Sequence, residues 1–142
     1  MRVVGIDVGA RRVGLAISDA TRTLARPLET IAVSDGDDAV TRVTARIVEL
    51  AAQEDGVAAV VVGVPRRLDG SETDMTRAAT AFVDALRARL PMPIATADER
   101  LTSVEAESRL ASRERDWKKR KEKIDAAAAA IVLQDFLDRQ SG

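Results

Sequence analysis

The sequence predicts an α/β fold: a mixed five-stranded sheet, antiparallel over its first three strands and parallel afterwards, flanked by helices. Three observations lead there. Residues 1–33 break into short β-branched runs joined by tight turns, as antiparallel strands do. From about residue 38 the apolar spacing lengthens to three and four, as in helices. Thereafter short strand-like runs alternate with helical stretches, which implies a partly parallel sheet covered by helices.

The elements follow in order. Arg2–Val8 is apolar and β-branched, residues 9–12 turn the chain, and residues 13–18 return it. Residues 26–33 make a third strand, with Pro27 near its start, where a missing N–H is tolerated. In residues 38–53, Val40, Val43, Ile47, Val48 and Leu50 form a helical stripe. Val57–Val64 is short, valine-rich and almost unbroken in its apolarity, which fits a strand buried on both faces. Ser71 is the predicted cap of a helix running to about Leu90, before Pro91 and Pro93. Residues 94–97 form a short strand. Thr102 opens a short helix to about Ala111. Residues 112–123 read as a charged connection, and residues 124–139 as a last, alanine-rich helix.

Composition narrows the chemistry. The chain has 142 residues, 46% hydrophobic and 32% charged, which fits one soluble domain. No apolar run is long enough to span a membrane and no signal-peptide pattern opens the chain, so a cytoplasmic protein is expected. There is no cysteine and no histidine. Disulfides, thiolate metal sites, imidazole-bound zinc and a Ser-His-Asp triad are thereby excluded. Acid–base or metal chemistry must rest on carboxylates. Aromatics are only 2% and the net charge is −1, so binding to nucleic acid needs a local basic patch rather than bulk charge or stacked bases.

Three carboxylates stand out. Asp7 interrupts an apolar strand, where a carboxylate is costly unless paired, protonated or bound to metal. Alternation puts it on one face with Val3 and Gly5, and Gly5 and Gly9 leave space beside it for a ligand. Capping of the following turn is the alternative. Glu99 follows the last short strand, at the end of the sheet where α/β proteins gather ligands, with a solvated loop acid beside Arg100 as the alternative. Asp98 and Glu99 should point to opposite sides, so one of them faces the site. Asp125 is expected to open the last helix, where an acid also suits the dipole. Its neighbours Ala128 and Ala129 are small enough to let that helix press against the sheet. Three acids without histidine favour a hard cation, Mg²⁺ or Mn²⁺. One or two such ions can drive phosphodiester cleavage.

The basic segment offers a contact with nucleic acid, with a solvated loop as the alternative. Lys118, Lys119, Arg120 and Lys121 can displace counterions from a phosphate backbone, and Trp117 can stack on a base or anchor the segment to the core. Arg11, Arg12, Arg66 and Arg67 offer further phosphate contacts.

These residues resemble the YqgF family, the RuvX-like proteins named as Holliday junction resolvases and pre-16S rRNA nucleases, which have an RNase H-like fold. The resemblance covers nearly the whole chain. It rests on Gly5-Ile6-Asp7-Val8-Gly9 with Arg12 to Ala16, on Ala25 to Leu28, and on Val62-Gly63-Val64-Pro65 with Leu68 to Ser71. It continues in Asp98-Glu99-Arg100-Leu101-Thr102-Ser103 and in Lys123-Ile124-Asp125 with the alanines that follow. It implies one RNase H-like nuclease domain over residues 1–142, with Asp7, Glu99 and Asp125 as metal-binding catalytic acids. Mg²⁺ or Mn²⁺ dependence and maturation of the 5′ end of 16S rRNA are also implied. Arg12, Arg67, Arg100, Trp117 and the Lys118–Lys121 cluster are then the substrate contacts. The family loop commonly reads G-L-P-x-N-x-D-G, and Arg67 stands here in place of the Asn.

Alternatives stay open at this level. The substrate is structured RNA or branched DNA, and the protein a monomer or homodimer. The Asp7–Gly14 hairpin also occurs in actin-like ATPases and sugar kinases, which hold phosphates with it. A non-catalytic nucleic-acid-binding module is the third reading.

Overall fold

In the computed structural model residues 1–99 and 117–141 are described. Three antiparallel strands open the chain: β1 (Arg2–Val8), β2 (Arg12–Ser18) and β3 (Ala25–Ala32). There follow α1 (Gly36–Ala51), β4 (Val57–Val64), α2 (Asp74–Arg89), β5 (Ile94–Asp98) and α3 (Trp117–Ser141). The five strands form one sheet in the order β3-β2-β1-β4-β5, with β4 and β5 parallel to β1. The expected mixed sheet is therefore present, and β1 lies at its centre.

Period-two alternation splits the sheet into two buried faces. Val4, Ile6, Val13, Leu15, Val60 and Val62 pack against α1 and α2. Val3, Ala16 and Val61 pack against Ala129, Val132, Leu133 and Leu137 of α3. Val57–Val64 thus serves both cores, which is why its sequence is apolar without alternation. Pro27 sits on β3, an edge strand, beside an irregularity in the pairing with β2.

The helix ends follow local chemistry, with two corrections to the sequence reading. Asp35 caps α1 by accepting from the Asp38 N–H at 2.8 Å. α2 is capped by Thr73, not Ser71: Thr73 and Thr76 exchange side-chain and backbone hydrogen bonds in a capping box. Thr76 also donates to the Pro65 carbonyl at 2.5 Å, so the box locks the loop after β4. Ser71 instead belongs to that loop, where its N–H binds Asp69 at 2.8 Å. The second correction concerns α3. Residues 117–123, read as a connection, are helical, and α3 starts at Trp117. The density of lysine and arginine that looked like a loop is compatible with a helix, since both are good helix formers. The predicted helix at 102–111 and the start of the charged segment lie outside the described residues.

Glycines set how closely α3 approaches the sheet. A Cβ on Gly5 would lie 2.7 Å from the Leu133 Cβ and 2.9 Å from the Ala129 carbonyl oxygen. A Cβ on Gly14 would run into the carbonyl of Asp125 and lie 2.9 Å from the Ala126 nitrogen. The space expected beside Gly5 is thus filled by helix, and the step at Gly9 is closed by the Arg12 carbonyl, which accepts from the Gly9 N–H at 2.8 Å. Gly14→Ala should destabilise the protein by about 3 kcal/mol, the upper end for overpacking, because a helix backbone cannot swing aside. Gly36→Ala places its Cβ in open space, with nothing within 4 Å, and should stabilise by up to about 1 kcal/mol. Urea unfolding of the two variants checks both signs.

Candidate active site

One row across the sheet builds the site. Asp7 pairs with Gly14 of β2 on one side and Gly63 of β4 on the other, and Gly63 pairs in turn with Ala97 of β5. A carboxylate is therefore flanked by two residues without side chains. Each gap is used by a different element. The Gly14 gap admits the α3 backbone at Asp125. The Gly63 gap admits Glu99, whose Oε2 lies 2.5 Å from where a Cβ would stand.

The alternation of β5 decides which of the two adjacent acids enters. Ala95 and Ala97 pack on the α3 face, so Glu99 follows them there while Asp98 is exposed. Glu99 is held by its N–H, which donates to the Val64 carbonyl at 3.3 Å. Asp7 and Glu99 are each only 8% exposed. Their carboxyl groups are hydrogen-bonded to each other.

Two buried acids in contact cannot both ionise cheaply. Burial, then the charge of Asp7 and the hydrogen bond to it, with a smaller push from Asp98, raise the Glu99 carboxyl to about 10. Burial also raises Asp7, opposed by the hydrogen bond from Glu99. At neutral pH Glu99 keeps the proton and donates a hydrogen bond to Asp7. Glu99 Oε2 is buried without a hydrogen-bond partner among the described residues. A buried, unsatisfied carboxyl oxygen is rare and costly. A divalent cation replacing the shared proton would satisfy it, and the all-oxygen donor set suits a hard ion.

Asp125 stands one strand away, in the interior of α3 rather than at its start. Its place in the helix therefore owes nothing to the N-terminal dipole. Its backbone abuts Gly14, the cross-strand partner of Asp7. It lines an open cavity of about 310 Å³ with Gly9, Ala10, Arg11 and Arg12. Among the described residues no three acids gather closely enough to cage an ion. The structure thus joins Asp7 to Glu99 directly and sets the Asp125 backbone against Gly14, on the other side of Asp7.

Of the predicted substrate contacts, Arg12 and Arg67 lie at this end of the sheet, after β1 and β4. The Arg12 Nη1 is buried without a partner among the described residues, and Arg12 borders the same cavity as Asp125. Arg67 bonds its own loop, to Ser71 Oγ at 3.4 Å and the Glu72 carbonyl at 3.3 Å. Trp117, Lys118, Lys119, Arg120 and Lys121 form the first turns of the helix that carries Asp125. Arg100 lies outside the described residues. From sequence, Gly14 and Gly63 serve only as motif positions, and neither marks the site. Glycine inside an apolar strand was the available signal, since it marks close approach of another group.

A family model described as RuvX, Holliday junction resolvase, matches residues 1–139. The chain belongs to the RuvX family. A protein of Chloroflexus aggregans, whose name proposes a pre-16S rRNA nuclease, is 45% identical over 136 residues, covering 96% of this chain and 92% of the relative. Among solved structures, Thermus thermophilus RuvC in complex with a Holliday junction substrate aligns with TM-score 0.57 and 20% identity, covering 100% of this chain and 96% of that one. The fowlpox virus Holliday junction resolvase aligns with TM-score 0.51 and 14% identity, covering 98% and 99%. These likenesses agree with the RNase H-like expectation, and the family is one of nucleases. No helix among the described residues is long and apolar enough to cross a membrane.

The acid pair gives this RuvX-family nuclease a pH signature. An unfolded Glu99 loses its proton above 4.5, whereas the folded one keeps it up to about 10. Between those values the folded state binds more protons, so its stability falls as pH rises. In chelator, the thermal midpoint should decline from pH 5 towards pH 9. Glu99→Gln, which carries no titrating proton, should flatten that slope and be the more stable protein at the alkaline end. A wild-type slope unchanged in the variant would contradict the shared proton.

Proposed function

We propose that this chain is a divalent-metal-dependent endonuclease that processes the 5′ end of precursor 16S rRNA in the cytoplasm. The observation that carries the reading is the buried Asp7–Glu99 pair beneath Gly63, with an oxygen left unsatisfied, in a chain 45% identical to a relative named for that substrate. Asp7 and Glu99, already in contact, would hold Mg²⁺ or Mn²⁺, and Asp125, one strand away on α3, would join them on the bound ion. When bound, the ion supplies an activated water and stabilises the leaving oxygen of the phosphodiester.

The chain's own residues account for the rest. Asp7 and Glu99 sit on the sheet, a rigid frame, so their geometry is set before substrate arrives. Their burial removes competing water. Arg12, with a buried Nη1 lacking a partner, is ready to take a phosphate oxygen beside Asp125. The basic first turns of α3 with Trp117, together with Arg67 and Arg100, extend the phosphate contacts along the strand. Branched DNA is the second reading, favoured by the family description and by the fold shared with RuvC.

A 5′-labelled precursor-rRNA fragment and a four-way DNA junction, each incubated with Mn²⁺ or with chelator, separate these readings. Wild type should cleave the RNA only with metal. Asp7→Asn, Glu99→Gln and Asp125→Asn should each lose about a hundredfold or more in rate while still binding it. Equal background from wild type and Asp7→Asn would leave a non-catalytic binding module. Cleavage of the junction alone would transfer the assignment to DNA.

A further inference from the structure

The turn between β1 and β2 has two sides. One side faces the open cavity of Arg11, Arg12 and Asp125. On the other, Gly9 and Ala10 wall a second cavity of about 200 Å³, closed by Met75, Ala78 and Phe82 of α2 and by Asp35 and Gly36 at the start of α1. This second cavity lies on the α1 and α2 face of the sheet, opposite to Asp7 and Glu99. Only the thickness of the turn separates it from the two arginines, because Gly9 and Ala10 line both spaces. Gly36 is exposed, and a Cβ there would meet nothing within 4 Å.

We propose that this cavity receives one unstacked base of the RNA strand whose phosphates lie against Arg11 and Arg12, a proposal that rests on the RNA reading above. A nucleotide joins a planar, largely apolar ring to an anionic phosphate. The two cavities present the matching pair, an apolar wall of Met75 and Phe82 and a cationic wall of arginine, on either side of one turn. Asp35, an exposed acid, lines the cavity. Its carboxylate already accepts from the Asp38 N–H at 2.8 Å, and as an acceptor-only group it repels a phosphate yet welcomes the N–H donors of a base edge. The base therefore enters and the phosphate stays outside. A base held in a duplex cannot enter without leaving its stack, which costs a few kcal/mol. The cavity thus selects a position that is already unpaired, and so sets where the strand crosses the acids.

The test uses a precursor 16S rRNA 5′ fragment in which each unpaired nucleotide in turn is made abasic, with binding measured in chelator. Two variants fill the cavity from exposed positions, Gly36→Leu and Ala78→Phe, and their thermal melts verify folding. One abasic position should weaken wild-type binding about tenfold, the scale of one lost base contact. Both filled variants should bind intact RNA about tenfold more weakly and be indifferent to that abasic position. A flat scan in wild type overturns the proposal, as does a filled variant that keeps wild-type affinity and the wild-type scan. Wild type that binds and cleaves RNA with a flat scan removes only the base pocket. Wild type that ignores RNA, or acts on the four-way DNA junction alone, removes the RNA reading and this proposal with it.

Discussion

The close approach of α3 to the sheet is the constraint on which the rest of this structure depends. Side chains normally hold a helix and a sheet apart. Here Gly5 and Gly14 remove them where the helix crosses β1 and β2, so helix backbone comes to rest on strand backbone. The helix answers with small residues of its own: Ala126, Ala128 and Ala129 are all buried. Larger side chains, Val132, Leu133 and Leu137, carry the burial further along the helix. Because the contact is backbone to backbone, the position of Asp125 relative to Asp7 is set by close packing of two rigid elements rather than by flexible rotamers.

The same device serves the chemistry. Gly63 opens a gap of the same kind on the other side of Asp7, and Glu99 fills it with a carboxyl group. Two acids are thereby pressed together in a place with little access to water. The protein bears this cost by holding a proton between them. Such an arrangement is poor for stability at neutral pH and good for receiving a cation, and stored strain of this kind tends to lie at functional sites. The fold is shared with RuvC at 20% identity.

Most secondary elements were legible from periodicity. β1, β4 and α1 fall within two residues of their expected ends because their patterns are long and regular. The misreadings have local causes. Thr73 outcompetes Ser71 as a cap because Thr76, three residues on, can return its hydrogen bond. The start of α3 was missed because charge density was read as a loop signal, although lysine and arginine have good helix propensity. Asp7 stands out best unaided, because an apolar strand gives an acid little reason to be there beyond capping the turn. Glu99 could be separated from Asp98 only in part: alternation says that they diverge, but not which one is buried.

The sequence by itself determined the α/β pattern, the exclusion of histidine and cysteine chemistry, and the three acids with their order along the chain. It also contained the glycines, without saying what they admit. Only the tertiary structure decided that Gly63 admits Glu99, that Gly14 admits the backbone of α3, and that Asp7 shares a proton with one acid while standing beside another. The physical reason is that strand register and helix docking are long-range. They bring together residues separated by most of the chain, and a gap left by a missing side chain acquires meaning only from what the fold puts into it.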